Sequence, residues 1–433
     1  MTETPKQQLS NALWATWSLL VGFGILMLGD GLQGTLLAVR ADQEGFSATL
    51  TGLIMSAFYI GFLCGSKLTP KIMVQVGHVR VFAALAALAS ASILIHAVFI
   101  DVAVWVVLRL VSGFCFAGLY VVAESWLNDR ATNETRGKLL SLYMVVTYIG
   151  VGIGQLFLNL ADPQDYALFV LTSVLISIAV VPLLLSATES PEFEDSVNIS
   201  IKELYVISPL GIVGMFIIGM VTATFFALGP VYAQRMGLNL QEISYFMASA
   251  VVGTVILQWP IGALSDRFDR RIVLTIVTIL SGFAAFACVP ATLHSQNILY
   301  LAVAGFAGLA LPLYSVCLAY TNDHLEPSQM IAASGTLVLV GGLGAVVGPT
   351  LVASIMDIVG NYSFFWFMGG AHLLTGLFAM FRMTKRGRVP ASQRAKVTPA
   401  AMHASSSVIE SMQQEAKEKA LSEDSASEDQ KTD

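Results

Sequence analysis

Charge is scarce in this 433-residue chain: Asp, Glu, Lys and Arg together make up 12% of it, against roughly 25% in ordinary soluble domains. So little charge excludes a freely soluble globular protein. Cysteine is scarcer still, and the four present (Cys64, Cys115, Cys288 and Cys317) fall in apolar stretches without the paired spacing of a disulfide framework or zinc site. They read as small buried apolar side chains. There is no His/Glu metal-binding spacing, no nucleophile elbow and no Gly-x-x-x-x-Gly-Lys-Ser/Thr phosphate loop. Neither enzymatic activity nor a cofactor or metal is therefore expected, and any transport must draw on a gradient rather than ATP. Basic patches are also missing, which removes nucleic acid as a partner.

Apolar runs fill the space that charge leaves. Hydrophobic residues are 55% of the chain, mean hydropathy is +0.72, and runs of about 20 apolar residues, the length that crosses a bilayer, recur twelve times. They lie near 14–38, 48–70, 80–100, 102–127, 138–160, 166–187, 208–232, 242–262, 271–291, 298–320, 332–354 and 362–383. The chain opens polar and its first apolar run is long, unlike a secretory leader, so no cleavage is expected. The loops sort Lys and Arg to one side. With the N-terminus inside, one face collects Lys6, Lys67, Lys71, Arg80, Arg130, Arg136, Lys138, Lys202, Arg267, Arg270, Arg271 and the bases of the tail. The other face holds only Arg40 and Arg235. Cytoplasmic loops carry this excess, so both termini are expected in the cytoplasm.

A shift of 194 residues lays the first six spans on the last six: Asn128-Asp129-Arg130 falls on Asn322-Asp323-His324, and Gly150 and Gly154 fall on Gly344 and Gly348. Two halves follow. Residues 188–206, TESPEFEDSVNISIKELYV, hold Pro, acids and Ser and read as a linker rather than a span. The expected organisation is a cytoplasmic N-terminus (1–13), a six-helix bundle (14–187), a cytoplasmic linker (188–207), a second six-helix bundle (208–383) and a disordered cytoplasmic tail (384–433). The part of the tail from 391 onward carries eight acids against five bases. The fold class is all-α and polytopic.

Between spans 8 and 9 the chain reads WPIGALSDRFDRRIVL, residues 259–274. Gly262, Leu264, Asp266, Arg267, Arg270, Arg271 and Leu274 sit at the spacing Gly-x-Leu-x-Asp-Arg-x-Gly-Arg-Arg/Lys-x-x-Leu, with Asp269 where the pattern has Gly. The matching loop of the first half, PKIMVQVGHVRVF, keeps Gly77 and Arg80 but has Val74 at the Asp position. Span 4 holds RLVSGFCFAG, with Arg109 and Gly113 in an Arg-x-x-x-Gly element. Span 11 holds GAVVGPTLVA, and span 5 holds GVGIGQ with Gln155 in place of Pro. Together with VVAESWL, RGKLLSLYM and LQWPIGALSDRF, these stretches resemble the major facilitator superfamily, and within it the YcaD-like branch. The resemblance covers nearly the whole membrane portion. It implies two pseudo-symmetric six-helix bundles that rock about a central site lined by spans 1, 4, 7 and 10, and the span 4 element is associated with proton-coupled members. Gln155 departs from the Gly-Pro element of antiporters.

A carboxylate at the end of a span can accept from the exposed N–H groups of a neighbouring helix N-terminus. By the resemblance, Asp266 holds the facing half at the start of span 5, near Arg136 and Gly137, when the cytoplasmic side is closed, while Arg270 or Arg271 pairs with Asp323. Val74 cannot do the same, so the latch is expected on one side only. Fixing topology is the plainer role for the same bases. The resemblance adds a second gate contact, Glu124 with Arg80 or Arg130; an ordinary interfacial helix end, with Trp126 following, explains Glu124 equally. Gly344, Gly348 and Pro349 of span 11 suit a hinge, and close helix packing accounts for them as well.

Ionisable groups within the bilayer are costly and mark function. Asp30 precedes Arg40 by ten residues, and Arg109 follows Asp101 by eight. At about 1.5 Å per residue their depths agree to about one helical turn, so they can meet. Burial and a neighbouring guanidinium pull a carboxyl group's proton affinity in opposite directions, which makes such a pair a coupling switch or, more plainly, a static staple. Gln33 shares a face with Asp30, Phe116 and Tyr120 continue the stripe of Arg109, Tyr148 aligns with Gln155, and Gln258 is another intramembrane amide. These side chains are cavity candidates; helix-to-helix hydrogen bonding is the alternative for the amides. The expectation is a monomeric secondary transporter of the bacterial inner membrane, coupled to protons, that exports a small organic solute by alternating access. An importer of a small metabolite, and a transporter-shaped sensor signalling through the tail, are the alternatives.

Overall fold

The computed structural model describes residues 5–131, 135–185, 199–325 and 327–385. Every regular element among them is helical: α1 (Pro5–Gln43), α2 (Ala48–Val76), α3 (His78–Val98), α4 (Val102–Asp129), α5 (Arg136–Leu156), α6 (Ala167–Ile178), α7 (Val181–Leu184), α8 (Ile201–Ile207), α9 (Pro209–Arg235), α10 (Leu240–Arg267), α11 (Arg270–His294), α12 (Gln296–Ala310), α13 (Leu313–Asn322), α14 (Pro327–Val359) and α15 (Ser363–Met383). A 3₁₀ turn, Phe157–Leu160, follows α5. Among the described residues, twelve helical stretches are long and apolar enough to cross a bilayer. Their outer faces carry apolar side chains such as Trp259, Leu301 and Ile358, which are largely exposed and suit contact with lipid rather than water. The proposed tail, beyond 385, lies outside the described residues.

Short polar residues start the helices. Ser47 accepts from the Leu50 N–H at 3.2 Å and opens α2. Asp101 does so for α4 at 3.0 Å, and Asn239 with Glu242 forms a capping box on α10. In the linker, Ser200 and Glu203 build the same device on the seven-residue α8, and the Ser200 N–H and hydroxyl hold the exposed Glu203 carboxyl below its ordinary range. Gly77 separates α2 from α3 at φ 89°, a conformation open to glycine.

Three spans differ in detail from their hydropathy. The first helix begins at Pro5, ahead of the apolar run, because backbone hydrogen bonds continue through polar residues. The tenth breaks at Leu311–Pro312 into α12 and α13, since Pro312 has no N–H to donate. The sixth divides into α6 and α7 just ahead of Pro182.

Packing repeats with the sequence. In the first half α2 packs chiefly on α4, α1 on α5, and α3 on α4 and α6; in the second α10 packs on α12, α9 on α14, and α11 on α15. The halves meet where α2 lies on α14 and α5 on α10. Glycine permits the tightest seams. A Cβ at Gly61 would sit 2.0 Å from the Leu110 carbonyl oxygen, and one at Gly113 only 1.9 Å from that of Phe58. That approach of α2 to α4 brings the Phe58 ring to Arg109.

Candidate functional site

A cavity of about 1120 Å³, including its part open to solvent, lies between the halves. The first half supplies α1, α2, α4 and α5 to its wall, and the second supplies α9, α10 and the α12–α13 break. Asp30 and Arg109 are the charged members of that wall. They share the cavity without forming an ion pair, and neither makes a hydrogen bond to the described residues. The Arg109 guanidinium instead lies over the Phe58 ring, 4.3 Å from its centroid. Its Nε is sealed from solvent with no acceptor.

Three further sequence candidates line the same wall: Tyr120, Tyr148 and Gln155. The Tyr120 hydroxyl donates to the Met27 sulfur at 3.0 Å, and Gln155 accepts from Thr35 across α1 and α5. Gln258 lies near the Tyr148 hydroxyl, on the wall of a second hollow between α10 and α13 that also includes Gly262 and Asp266. Gln33 and Phe116 are not on the cavity wall. Gln33 is buried, with neither amide atom hydrogen-bonded, so a stripe shared with Asp30 is not enough to bring it to the opening. Phe116 is covered by Phe58, 6.2 Å away, whose ring takes that place at the wall.

Several wall residues carry little or no sequence signal. Phe58, Tyr59, Phe226 and Tyr314 are aromatic residues in apolar helices, indistinguishable from packing residues until the helices are assembled. Tyr314 has one available cue: it follows the proline that breaks its span. Its hydroxyl is buried without a hydrogen-bond partner.

The knot of charge between α10 and α11 is organised around Arg270, 2% exposed. Its guanidinium pairs with Asp323 at 2.7 Å and Asp266 at 3.0 Å and donates to the Ala319 carbonyl at 3.2 Å, which ties α10, α11 and α13 together within the second half. Asp269 accepts from the Arg271 N–H at 3.1 Å and pairs with its side chain at 2.7 Å, so the residue that departs from the pattern caps α11. Arg267 is exposed. The expected contact of Asp266 with Arg136 and Gly137 falls on side chains outside the described ones. Glu124 is fully buried and accepts from the Tyr143 hydroxyl at 3.0 Å. Arg80 is exposed and forms no ion pair among the described residues, whereas Arg130 pairs with Asp129 at 3.6 Å. Gly344 and Gly348 lie within one continuous helix with Pro349, and a Cβ on either would strike the backbone of α9, at 2.0 Å and 2.5 Å.

At the opposite end of the molecule an ionic network joins the halves. Asp357, ending α14, accepts from the Ala48 and Thr49 N–H groups at 3.1 and 2.8 Å and from the Thr49 hydroxyl at 2.7 Å, which caps α2 across the interface. Arg235 pairs with Asp42 of α1 at 2.7 Å and with Asp357 at 3.4 Å. The sequence offered a cue here, because Arg235 is one of two bases on a face otherwise free of them.

A profile described as Major Facilitator Superfamily matches residues 19–257 and again 212–421. The chain is 28% identical over 341 residues to a protein of Escherichia fergusonii named "Uncharacterized MFS-type transporter YcaD", covering 78% of this chain and 88% of that one. Among solved structures, the nucleoside transporter NupG superposes with a TM-score of 0.70 at 13% identity over 89% of this chain and 100% of its own. A D-xylose-proton symporter gives 0.63 at 14% identity over 84% of this chain and 97% of its own.

Proposed function

Because the chain belongs to the Major Facilitator Superfamily, we propose that it is a proton-coupled secondary transporter that carries a small organic solute by alternating access across a bacterial inner membrane. The observation that carries this reading is the cavity between the halves, with Asp30 and Arg109 on one wall and no ion pair between them. A carboxylate's proton affinity follows its distance from a neighbouring guanidinium. Solvation acts on it as well, so as the halves rock and water enters or leaves the cavity on alternate sides, Asp30 beside Arg109 changes how firmly it holds a proton, which couples a proton gradient to the change of access.

Rocking also needs contacts that can form and break on each face. Asp42, Arg235, Asp357 and the start of α2 supply a set on one face. Asp266, facing the start of α5, is proposed to supply its counterpart on the other. The positive-inside bias places that second set, and both termini, in the cytoplasm. Direction is set by the gradients rather than by the cavity, since a rocking carrier presents its site to both sides in turn. Export, favoured on sequence, and import use the same parts.

Purified protein in liposomes tests the reading through a lumenal pH dye. A transported solute should move protons with it, and Asp30→Asn should uncouple the two. Solute binding with no flux would instead support a sensor acting through its tail.

A further inference from the structure

The charges of the cavity wall all belong to the first half. Arg109 is only 6% exposed, yet of its guanidinium nitrogens only Nε is sealed; the terminal pair opens on the cavity with no acceptor among the described residues. Asp30 likewise makes no hydrogen bond among the described residues. The facing wall, with Thr222, Phe226, Val251, Leu311 and Tyr314, is uncharged and largely apolar. A solute that satisfies both walls is charged at one end and apolar at the other.

We propose that this solute is an organic monoanion, with a carboxylate head on Arg109 and an apolar or aromatic body toward Phe226 and Leu311, carried together with one proton on Asp30. The inference rests on the transporter reading and names its substrate class. With Asp30 ionised the empty cavity is neutral. An anion entering alone brings an uncompensated charge into a protein-walled space, which is costly, and a proton on Asp30 cancels it. Anion and proton therefore favour each other's binding, and the coupling is reciprocal. An ammonium fits less well. Asp30 is the wall's one carboxylate, and the Phe58 face that would stabilise a second cation already holds Arg109.

The groups that face Asp30 are few. Tyr59 of α2, Arg109 and Tyr120 of α4 and Tyr148 of α5 surround it, while α6 contains no titratable residue and α9 has none before Tyr232. Tyrosines stay neutral near physiological pH, so Arg109 is the charge that Asp30 meets.

Thermal stabilisation of the purified full-length protein by four probes with one body and different charge tests the class: phenylacetate, phenylacetamide, 2-phenylethylamine and phenylalanine. Phenylacetate alone should stabilise, and more strongly in mildly acidic than in alkaline buffer. Asp30→Asn imitates the protonated state, so it should bind phenylacetate equally in both buffers. Arg109→Gln should lose binding. Stabilisation by the amine or the zwitterion, equal stabilisation by the amide, none by phenylacetate, or an unchanged pH dependence in Asp30→Asn overturns the assignment. Proton-linked flux of a cationic solute would overturn it while leaving the transporter standing; phenylacetate binding with no flux of any solute would do the reverse.

Discussion

Arg270 shows how much one side chain can hold in this protein. Two carboxylates and a carbonyl surround its buried guanidinium, and Asp323 is 3% exposed. Removing the guanidinium leaves Asp323 buried with its charge uncompensated, so Arg270→Ala should destabilise the protein by about 3–5 kcal/mol, read by thermal unfolding in detergent. The neighbouring Arg271 makes the control: its pair with Asp269 keeps 14% and 17% of the two side chains in contact with water, against 2% and 3% for Arg270 and Asp323, so Arg271→Ala should cost less than Arg270→Ala. Equal losses for the two would contradict the buried role given to Arg270. At this scale the sequence was informative wherever a residue is costly in lipid. Asp30 and Arg109 stand out in apolar helices because charge there needs a reason. Phe58 and Tyr314 do not, since an aromatic ring in a membrane helix costs nothing and so carries no contrast with its neighbours.

The helices owe their length and number to hydropathy, but their contacts depend on individual positions along the seams. The α2–α14 interface runs from Ala48 with Asp357, through Ser56 with Thr350 (2.8 Å), to Leu63 against Gly342. At one end Asp357 offers its charge to the exposed N–H groups of α2. Asp357→Asn keeps an accepting oxygen but removes the charge, which weakens that cap by about 0.3–1 kcal/mol. The expected consequence is faster labelling of a Thr51→Cys probe, buried in the first turn of α2, by an impermeant maleimide after the exposed Cys64 is replaced by Ser. No change in labelling would mean that this network does not keep the face shut. Sequence reasoning looked for a latch at the loop whose motif is strong, 262–274, and the described contacts of Arg270 there stay within one half. The ionic contact across the halves that the structure describes comes from Asp42, Arg235 and Asp357, which lie far apart in the chain and form no motif.

For the molecule as a whole, the repeat in sequence is also a repeat in packing: α2 on α4 corresponds to α10 on α12, and α2 on α14 to α10 on α5. A carrier built this way works only if its halves separate on alternate faces. A disulfide between Ser56→Cys and Thr350→Cys, whose hydroxyls stand 2.8 Å apart, joins the halves at the seam. Oxidation should lower flux by about tenfold or more and reduction should restore it, with solute binding retained. Flux that survives oxidation would rule out rocking at this seam.

The amino-acid sequence by itself determined the number of spans, their alternation and the two-fold repeat, because each follows from a local quantity: twenty apolar residues must cross a bilayer, and loop charge sets which way they cross. It also marked Asp30 and Arg109, since the cost of charge in lipid is a property of the residue. Only the tertiary structure decided that these two share a cavity without pairing, that Phe58 rather than Phe116 reaches its wall, and that Arg235 and Asp357 of the second half meet Asp42 and the start of α2 in the first, partners 193 and 309 residues apart in the chain. Those outcomes depend on how far each helix is rotated and how closely glycines such as Gly61 and Gly113 let neighbours approach, and rotation and approach are settled by packing among all the helices at once.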